Sequence, residues 1–286
     1  MQQRRLGDVT VSAIGLGAMP MSTGQATERT RALATIHSAL DAGVTLIDTA
    51  DAYTPDDEPP GHNEELVAEA IETYGRSTDE VIVATKGGHT RDGAAWELNG
   101  RPEYLRKACE ASLRRLRVEA IELYQHHRPD PAVPYEDSIG ALKDLLEAGL
   151  VVRAGISNAS VDQIGVAAEI LGAGLVAVQN EYSPRFRSSA TELELCTEMG
   201  LTFLPWSPLG GIDTAKELGS TNRPFAAVAE RHGVSPQRVC LAWMLATSPM
   251  VVPIPGASRP ESIRDSAAAS ELQLSAQDIA ELDEAG

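Results

Sequence analysis

Val44-Thr45-Leu46-Ile47-Asp48-Thr49-Ala50-Asp51-Ala52-Tyr53, the stretch VTLIDTADAY at residues 44–53, begins as an apolar strand and presents Asp48, Asp51 and Tyr53 within six residues. An apolar strand that ends in ionisable groups is what an α/β enzyme builds at the carboxyl edge of its sheet, where loops carry the chemistry. The fold therefore turns on whether other strands end the same way and could bring their ends to Asp48 and Tyr53.

Working outward, seven further short apolar runs are expected as strands: residues 13–16, 81–84, 121–124, 151–158, 176–178, 202–204 and 250–252. Helical spacing separates them. Leu33, Ile36 and Leu40 share one face, as do Leu66, Ala70 and Ile71. Leu105, Cys109, Leu113 and Leu116 follow Pro102, and Ile139, Leu142, Leu145 and Leu146 make the next stripe. Ser160 and Gln163 have capping-box spacing. A helix bearing Leu193 and Cys196 stops at Gly200, another follows Ser235-Pro236, and the last runs from Ser275 until the chain stops at Gly286. One helix-to-strand junction recurs, as AGV at 42–44, AGL at 148–150 and 173–175, and MGL at 199–201. A left-handed glycine followed by an apolar residue is the expected helix stop.

Eight βα units with strands apolar on both faces predict a closed (β/α)₈ barrel. A short β-hairpin at Gly7-Asp8 precedes it, extra helices lie near the C-terminus, and residues 1–286 read as a single domain. A doubly wound open sheet is the alternative. It fits less well because the first strand leads into GLGAMP, with Pro20 where a dinucleotide fingerprint needs its third glycine. The insertions at 55–62, 87–101 and 210–223 follow strands, which puts them on the rim that carries chemistry.

Composition narrows the partners. The formal charge of −17 argues against nucleic acid or an anionic membrane, and no apolar run reaches the roughly 20 residues that span a bilayer. The N-terminus shows no signal-peptide core, so a cytoplasmic location is expected, as a monomer or weak homo-oligomer. Cys109, Cys196 and Cys240 are too far apart for a zinc clip and read as core residues, so no metal is expected.

The strand ends carry the chemistry. They deliver Asp48 and Tyr53, then Lys86, then His126 and His127 to one rim. A lysine ammonium beside a tyrosine favours the phenolate, an aspartate anchors the lysine, and a histidine can hydrogen-bond the oxygen that the tyrosine protonates. That set suits reduction of a carbonyl. The other strand ends read as a cradle for a hydride source. Ser157, Asn158 and Gln179 offer amide-recognising bonds, and Trp206 a flat face. Ser207-Pro208-Leu209-Gly210-Gly211 forms a loop for a diphosphate. Gly256, Ser258 and Arg259 open the last helix of the barrel toward a terminal phosphate. A barrel that uses Lys86 to form a Schiff base is a rival, which Asp48 and Tyr53 fit poorly.

The motifs GLGAM, LIDTADAY, ATK at 84–86, LYQHHRPD, GISN, WSPLGG and IPGASRPES resemble those of the aldo-keto reductases over essentially the whole length. The resemblance implies NADPH bound across the barrel mouth and a catalytic tetrad of Asp48, Tyr53, Lys86 and His127, with Tyr53 as general acid/base. His127 rather than His126 is implied because it stands directly before the Arg-Pro-Asp turn. It also implies cofactor contacts from Gly17, Ala18, Met19, Asp48, Ser157, Asn158, Gln179, Trp206, Ser207, Pro208, Leu209, Gly210, Gly211, Gly256, Ser258, Arg259, Ser262, Asp265 and Ser266. The carbonyl substrate would meet Met21, Tyr53, Trp96, His127 and Trp206. Three positions depart from the common pattern: Trp206 replaces a stacking tyrosine, Gly256 a lysine, and Asp265-Ser266 a Glu-Asn pair. Preference for NADP over NAD then rests mainly on Arg259. No long C-terminal substrate loop follows the last helix, so an open, apolar mouth is expected. The alternative function is a cofactor-binding regulatory or redox-sensing subunit with little turnover, as the potassium-channel β-subunits of the same superfamily are.

Overall fold

Strands β1 (Gln3–Leu6) and β2 (Val9–Ser12) form an antiparallel hairpin, followed by β3 (Leu16–Gly17), β4 (Leu46–Asp48) and β5 (Ile82–Gly87). A second hairpin, β6 (His89–Asp92) with β7 (Ala95–Leu98), precedes β8 (Leu123–His126), β9 (Ala154–Ser157), β10 (Leu175–Gln179) and β11 (Thr202–Phe203). The helices are α1 (Arg29–Asp41), α2 (His62–Thr73), α3 (Pro102–Leu116), α4 (Tyr135–Glu147), α5 (Val161–Leu171), α6 (Ala190–Met199), α7 (Leu218–Thr221), α8 (Arg223–His232), α9 (Pro236–Thr247), α10 (Pro260–Ala267) and α11 (Ala276–Asp283). This computed structural model describes residues 1–24, 26–211 and 214–284. Part of the expected 210–223 insertion and the expected helix end at Gly286 lie outside the described residues.

Seven strands run parallel in the order β11-β10-β9-β8-β5-β4-β3. The ring closes through residues 250–257, which form isolated bridges rather than a strand: Val251 pairs with Phe203, and Gly256 with Gly17. The expected eighth strand at 250–252 lies beside β11 as expected but forms only an isolated bridge there, and its sequence explains why. On one side the exchange with β11 is complete, Phe203 N–H to Met250 O and Val252 N–H to Phe203 O, both at 2.9 Å. On the other, Pro253 and Pro255 accept from Gly15 (2.9 Å) and Gly17 (3.0 Å) but have no N–H to return. Only Ala257 N–H reaches back, to Gly17 O at 3.4 Å. Gly17 is needed there, because a Cβ would lie 2.8 Å from Ile254 O. The fold is a (β/α)₈ barrel with an N-terminal hairpin and extra helices.

Alternation along the strands divides floor, mouth and outer wall. Leu46, Ala84, Leu123, Ala177, Leu204, Val252 and Ile254 pack with Leu6 and Val11 of the hairpin into one buried cluster that fills the barrel interior. Gly7, at φ +60°, lets the hairpin turn press onto Val176, whose Cγ1 would lie 2.5 Å from an added Cβ. Two residues further along three of these strands stand Asp48, Lys86 and Gln179, so the same inward face that is apolar below becomes polar at the top. The outward face of β4 packs on α1 and α2 through Ile47, Ile36, Leu40, Leu66 and Val67. A larger outer cluster joins α3 to α9.

Local signals match the elements in most places. Ser160 and Gln163 form the expected capping box, and Ser235 caps α9 by accepting from Arg238 N–H. Gly43, Gly149 and Gly200 are left-handed at the helix-to-strand junctions. Gly174 is not. The chain continues α5 into a 3-10 turn, Gly172–Gly174, and the positive φ falls on Gly172 instead. The 87–101 insertion, expected as a loop, is the β6–β7 hairpin. Helix α8 was not anticipated, although Phe225, Val228 and Ala229 are its buried stripe.

Candidate active site

Lys86 organises the barrel mouth. Its side chain is completely buried, and its Nζ donates to Asp48 Oδ2 at 2.6 Å, to Thr49 O at 2.9 Å and to Tyr53 Oη at 3.1 Å. An ammonium has three protons, and all three are used. The other carboxylate oxygen of Asp48 accepts from Gln179 Nε2 at 2.7 Å and Gln125 Nε2 at 3.3 Å. Asp48 is therefore fixed from both sides, and it fixes the lysine under the phenol.

The electrostatics refine the expectation from sequence. Burial is the largest influence on Tyr53 and holds its pKa above the ordinary value; Lys86 pulls it down but does not prevail. The phenol is therefore neutral at pH 7, with a cation already placed to stabilise the phenolate. Burial pushes Lys86 toward neutrality, yet Asp48 and Tyr53 together outweigh it and its pKa ends raised. His127 is held well below the usual imidazole range by burial, then by the charge on Lys86. It is a neutral ring, edge-on to Tyr53 with centroids 5.7 Å apart.

Strand geometry separates the two histidines. On β8, Leu123 and Gln125 face the barrel interior, so His126 faces outward, where it lies against Tyr135 of α4 with centroids 5.9 Å apart. Both of its ring nitrogens are buried without a partner, and burial lowers its pKa to about 4. His127, just past the strand end, turns into the mouth.

A cavity of about 690 Å³ runs from these groups across the carboxyl edge of the sheet to the start of α10. Asp48, Tyr53 and His127 line it, with Lys86 directly behind. Of the other expected residues, Gly17, Met19, Trp96, Ser157, Asn158, Gln179, Trp206, Ser207, Pro208, Leu209, Gly211, Gly256, Ser258, Arg259, Ser262, Asp265 and Ser266 all line it. Three do not. Ala18 is buried, its N–H committed to Asp48 O and its carbonyl to Asn63 Nδ2. Met21 is the inward end of the Met19–Met21 3-10 turn and packs with Leu16, Ala32 and Ile36, leaving Met19 and Pro20 on the cavity. Gly210 closes a turn onto Ser207 O and stands behind Gly211.

Several lining residues were not anticipated: His89, Arg128, Arg31, Lys216 and Gln237. His89 wedges between His127 and Trp96, with ring centroids at 4.5 and 5.3 Å, and its position directly after Gly87-Gly88 at a strand end was the available signal. Gln125 was also missed, although its register opposite Lys86 places it beside Asp48. Trp96, half exposed on β7, stands edge-on to Tyr53 at 6.3 Å and carries Arg91 over its ring at 4.5 Å.

A barrel mouth with a carboxylate, ammonium, phenol and neutral imidazole beside a long cleft has the make-up of a site for proton transfer to a bound molecule. The sequence matches the family model described as "Aldo/keto reductase family" over residues 13–286. It is 33% identical over 287 residues to an "uncharacterized oxidoreductase" of Schizosaccharomyces pombe, covering 99% of this chain and 89% of that one. It is 34% identical over 304 residues to the "probable aldo-keto reductase 1" of Glycine max, covering 96% and 85%. Among solved structures it resembles an aldo/keto reductase from Klebsiella pneumoniae in complex with NADP and acetate, at a TM-score of 0.83 and 26% identity over 99% of this chain and 94% of that one. It resembles a thermostable aldo-keto reductase in complex with the inhibitor epalrestat at a TM-score of 0.84 and 28% identity over both full lengths. The chain belongs to the aldo/keto reductase family.

Proposed function

We propose that this chain reduces an aldehyde or ketone to the alcohol, reversibly, with NADPH as the preferred hydride donor. The observation that carries the proposal is Lys86 Nζ bridging the Asp48 carboxylate and the Tyr53 hydroxyl directly behind the wall of a cavity that could hold both a dinucleotide and a small carbonyl compound.

The residues present fit a nicotinamide dinucleotide. Ser207 and Gly211, both at positive φ, line the cleft at the loop where a diphosphate would lie. Trp206 Nε1 is buried without a partner. At the far end Arg259 bonds only Ser262 among the described residues, at 3.3 Å. Asp265, an acidic group at the phosphate end, is satisfied by Arg238 at 2.6 Å and by Ser235, so its charge is countered locally. Ser157, Asn158 and Gln179 would hold the carboxamide, Trp206 the ring face, and Arg259 with Ser258 and Ser262 the terminal phosphate. When bound, the cofactor supplies a hydride to the carbonyl carbon.

The protein's own residues supply the proton. Tyr53 Oη gives its proton to the carbonyl oxygen as negative charge develops there, and the Lys86 ammonium beneath stabilises the phenolate that remains. Neutral His127 orients that oxygen, while Asp48, held by Gln179 and Gln125, keeps Lys86 in place. Tyr53→Phe is the test: NADPH binding stays nearly intact and NADPH-dependent turnover of 4-nitrobenzaldehyde collapses. Retention of more than about a tenth of turnover would remove Tyr53 as the acid, since a positioned acid contributes roughly 10²–10⁴-fold.

A further inference from the structure

We propose that Arg128 is a specificity-determining residue that selects carbonyl substrates bearing an oxyanion, either carboxylate or phosphate; this rests on the reductase reading above. Arg128 directly follows His127 and lines the same cavity as Tyr53, His89, Trp96 and Trp206. Its Nη2 donates to Asn158 Oδ1 at 3.0 Å, and Asn158 is itself held by Nδ2 bonds to His127 O and Ser157 Oγ, each at 3.0 Å. The guanidinium is thus aimed by one bond, while the rest of its five N–H donors remain for a ligand.

The absence of an internal counter-charge gives that placement its meaning. The chain carries 41 acidic and 24 basic residues, Lys and Arg together. Some arginines elsewhere find carboxylates, as Arg91 does with Asp56, Arg115 with Glu64, Arg153 with Asp8 and Glu122, and Arg238 with Asp265, whereas Arg31 and Arg259, farther along the same cleft, form no ion pair among the described residues. Among the described residues Arg128 forms no ion pair. Glu181 feels its charge without pairing to it, and Glu181 does not line the cavity. A planar guanidinium matches a carboxylate or phosphate with two parallel bonds, which an ammonium cannot do. In a chain of net charge −17 that otherwise repels anions, this cation beside the reacting groups gives an anionic substrate a local reason to enter.

The test compares kcat/KM for 4-carboxybenzaldehyde, 4-formylphenyl phosphate and the uncharged methyl 4-formylbenzoate, in the wild-type protein with NADPH and in Arg128→Met and Arg128→Lys. The anion-to-ester ratio is expected to exceed one in the wild type, to fall at least ten-fold in Arg128→Met, and to lie between in Arg128→Lys. Loss of the Asn158 bond strikes charged and uncharged substrates alike, so the ratio isolates recognition of charge. A ratio unchanged by Arg128→Met for both anions overturns the proposal; dependence for one anion alone identifies which oxyanion is read. Should no aldehyde turn over, the reductase reading fails, and calorimetry with benzoate and phenyl phosphate decides this one separately. Binding that weakens at least ten-fold in Arg128→Met upholds the site, and binding that is absent or equal in both proteins overturns it.

Discussion

His126→Leu tests the strand geometry that excludes this residue from the mouth. Neither ring nitrogen of His126 makes a hydrogen bond, and leucine has a similar volume, so at pH 8 the substitution removes no bond and costs less than about 1.5 kcal/mol. Acid is different. The folded-state pKa is lowered to about 4 by burial, with the charge on Asp130 offsetting in part. An unfolded histidine titrates near pH ~6.5. Between those values the unfolded chain binds a proton that the folded chain refuses, so stability is intact above about 6.5 and falls as pH drops toward 4. Each pH unit of that gap is worth about 1.4 kcal/mol, so this group alone takes away about 3 kcal/mol by pH 4. Urea unfolding of both proteins from pH 8 to 4 gives the difference curve, in which His127, acting in the same sense, cancels. The variant is expected to gain about 3 kcal/mol on the wild type across that range. A flat difference curve would mean that His126 is not held neutral by burial, and its exclusion from the mouth would lose its energetic signature.

Lys86→Met leaves Asp48 buried with only its two glutamine donors; unfolding stability is expected to fall by about 3 kcal/mol and turnover by roughly 10²-fold or more, and a variant of native stability would show the pair to be dispensable. Burial, with the charge on Glu64 beside it, holds Asp51 well above the ordinary carboxylate range, and its Oδ1 has no partner. A raised carboxyl contributes stability below pH about 4 that is lost as pH rises through the folded pKa. Asp51→Asn is therefore expected to raise the Tm at neutral pH and leave it unchanged near pH 3; a lower Tm at pH 7 refutes this. Arg259→Ala is expected to weaken NADPH binding at least ten-fold more than NADH binding, as measured by fluorescence titration, since a charge-assisted bond is worth about 1.5–3 kcal/mol. Equal losses would detach Arg259 from the terminal phosphate.

The parts of this molecule legible in the sequence are those where one local signal suffices. Asp48 and Lys86 were expected at the rim because each ends an apolar strand, and the structure brings both there, whereas His127 was singled out from His126 by the family motif; Ser160 was legible because its cap lies three residues from its partner. What escaped depended on relations between segments. Gln125 matters because β8 pairs with β5 in a register that sets it beside Lys86 and Asp48, and no run of β8 alone says so. Met21 looked like a pocket wall, but a 3-10 turn rotates it into the core and leaves Met19 outside. The pull of Lys86 on Tyr53 was read with the right direction, while the opposing burial is a property of the assembled mouth. The eighth strand was expected at 250–252, where the chain does pair with β11, but its irregularity comes from Pro253 and Pro255 as missing donors on one side of a pairing, which only the assembled ring reveals.

That one-sided pairing leaves the join between residues 13–17 and 251–257 with a single returned bond, Ala257 N–H to Gly17 O. Gly17 and Gly256 face each other across it, and both touch the cleft. A molecule lying in the cleft against both works as a fastener, lifting the free energy needed to part the two segments by mass action alone. Amide exchange near the join would then slow with ligand concentration. Occupancy would set how often the hoop springs open as well as how often the chemistry runs.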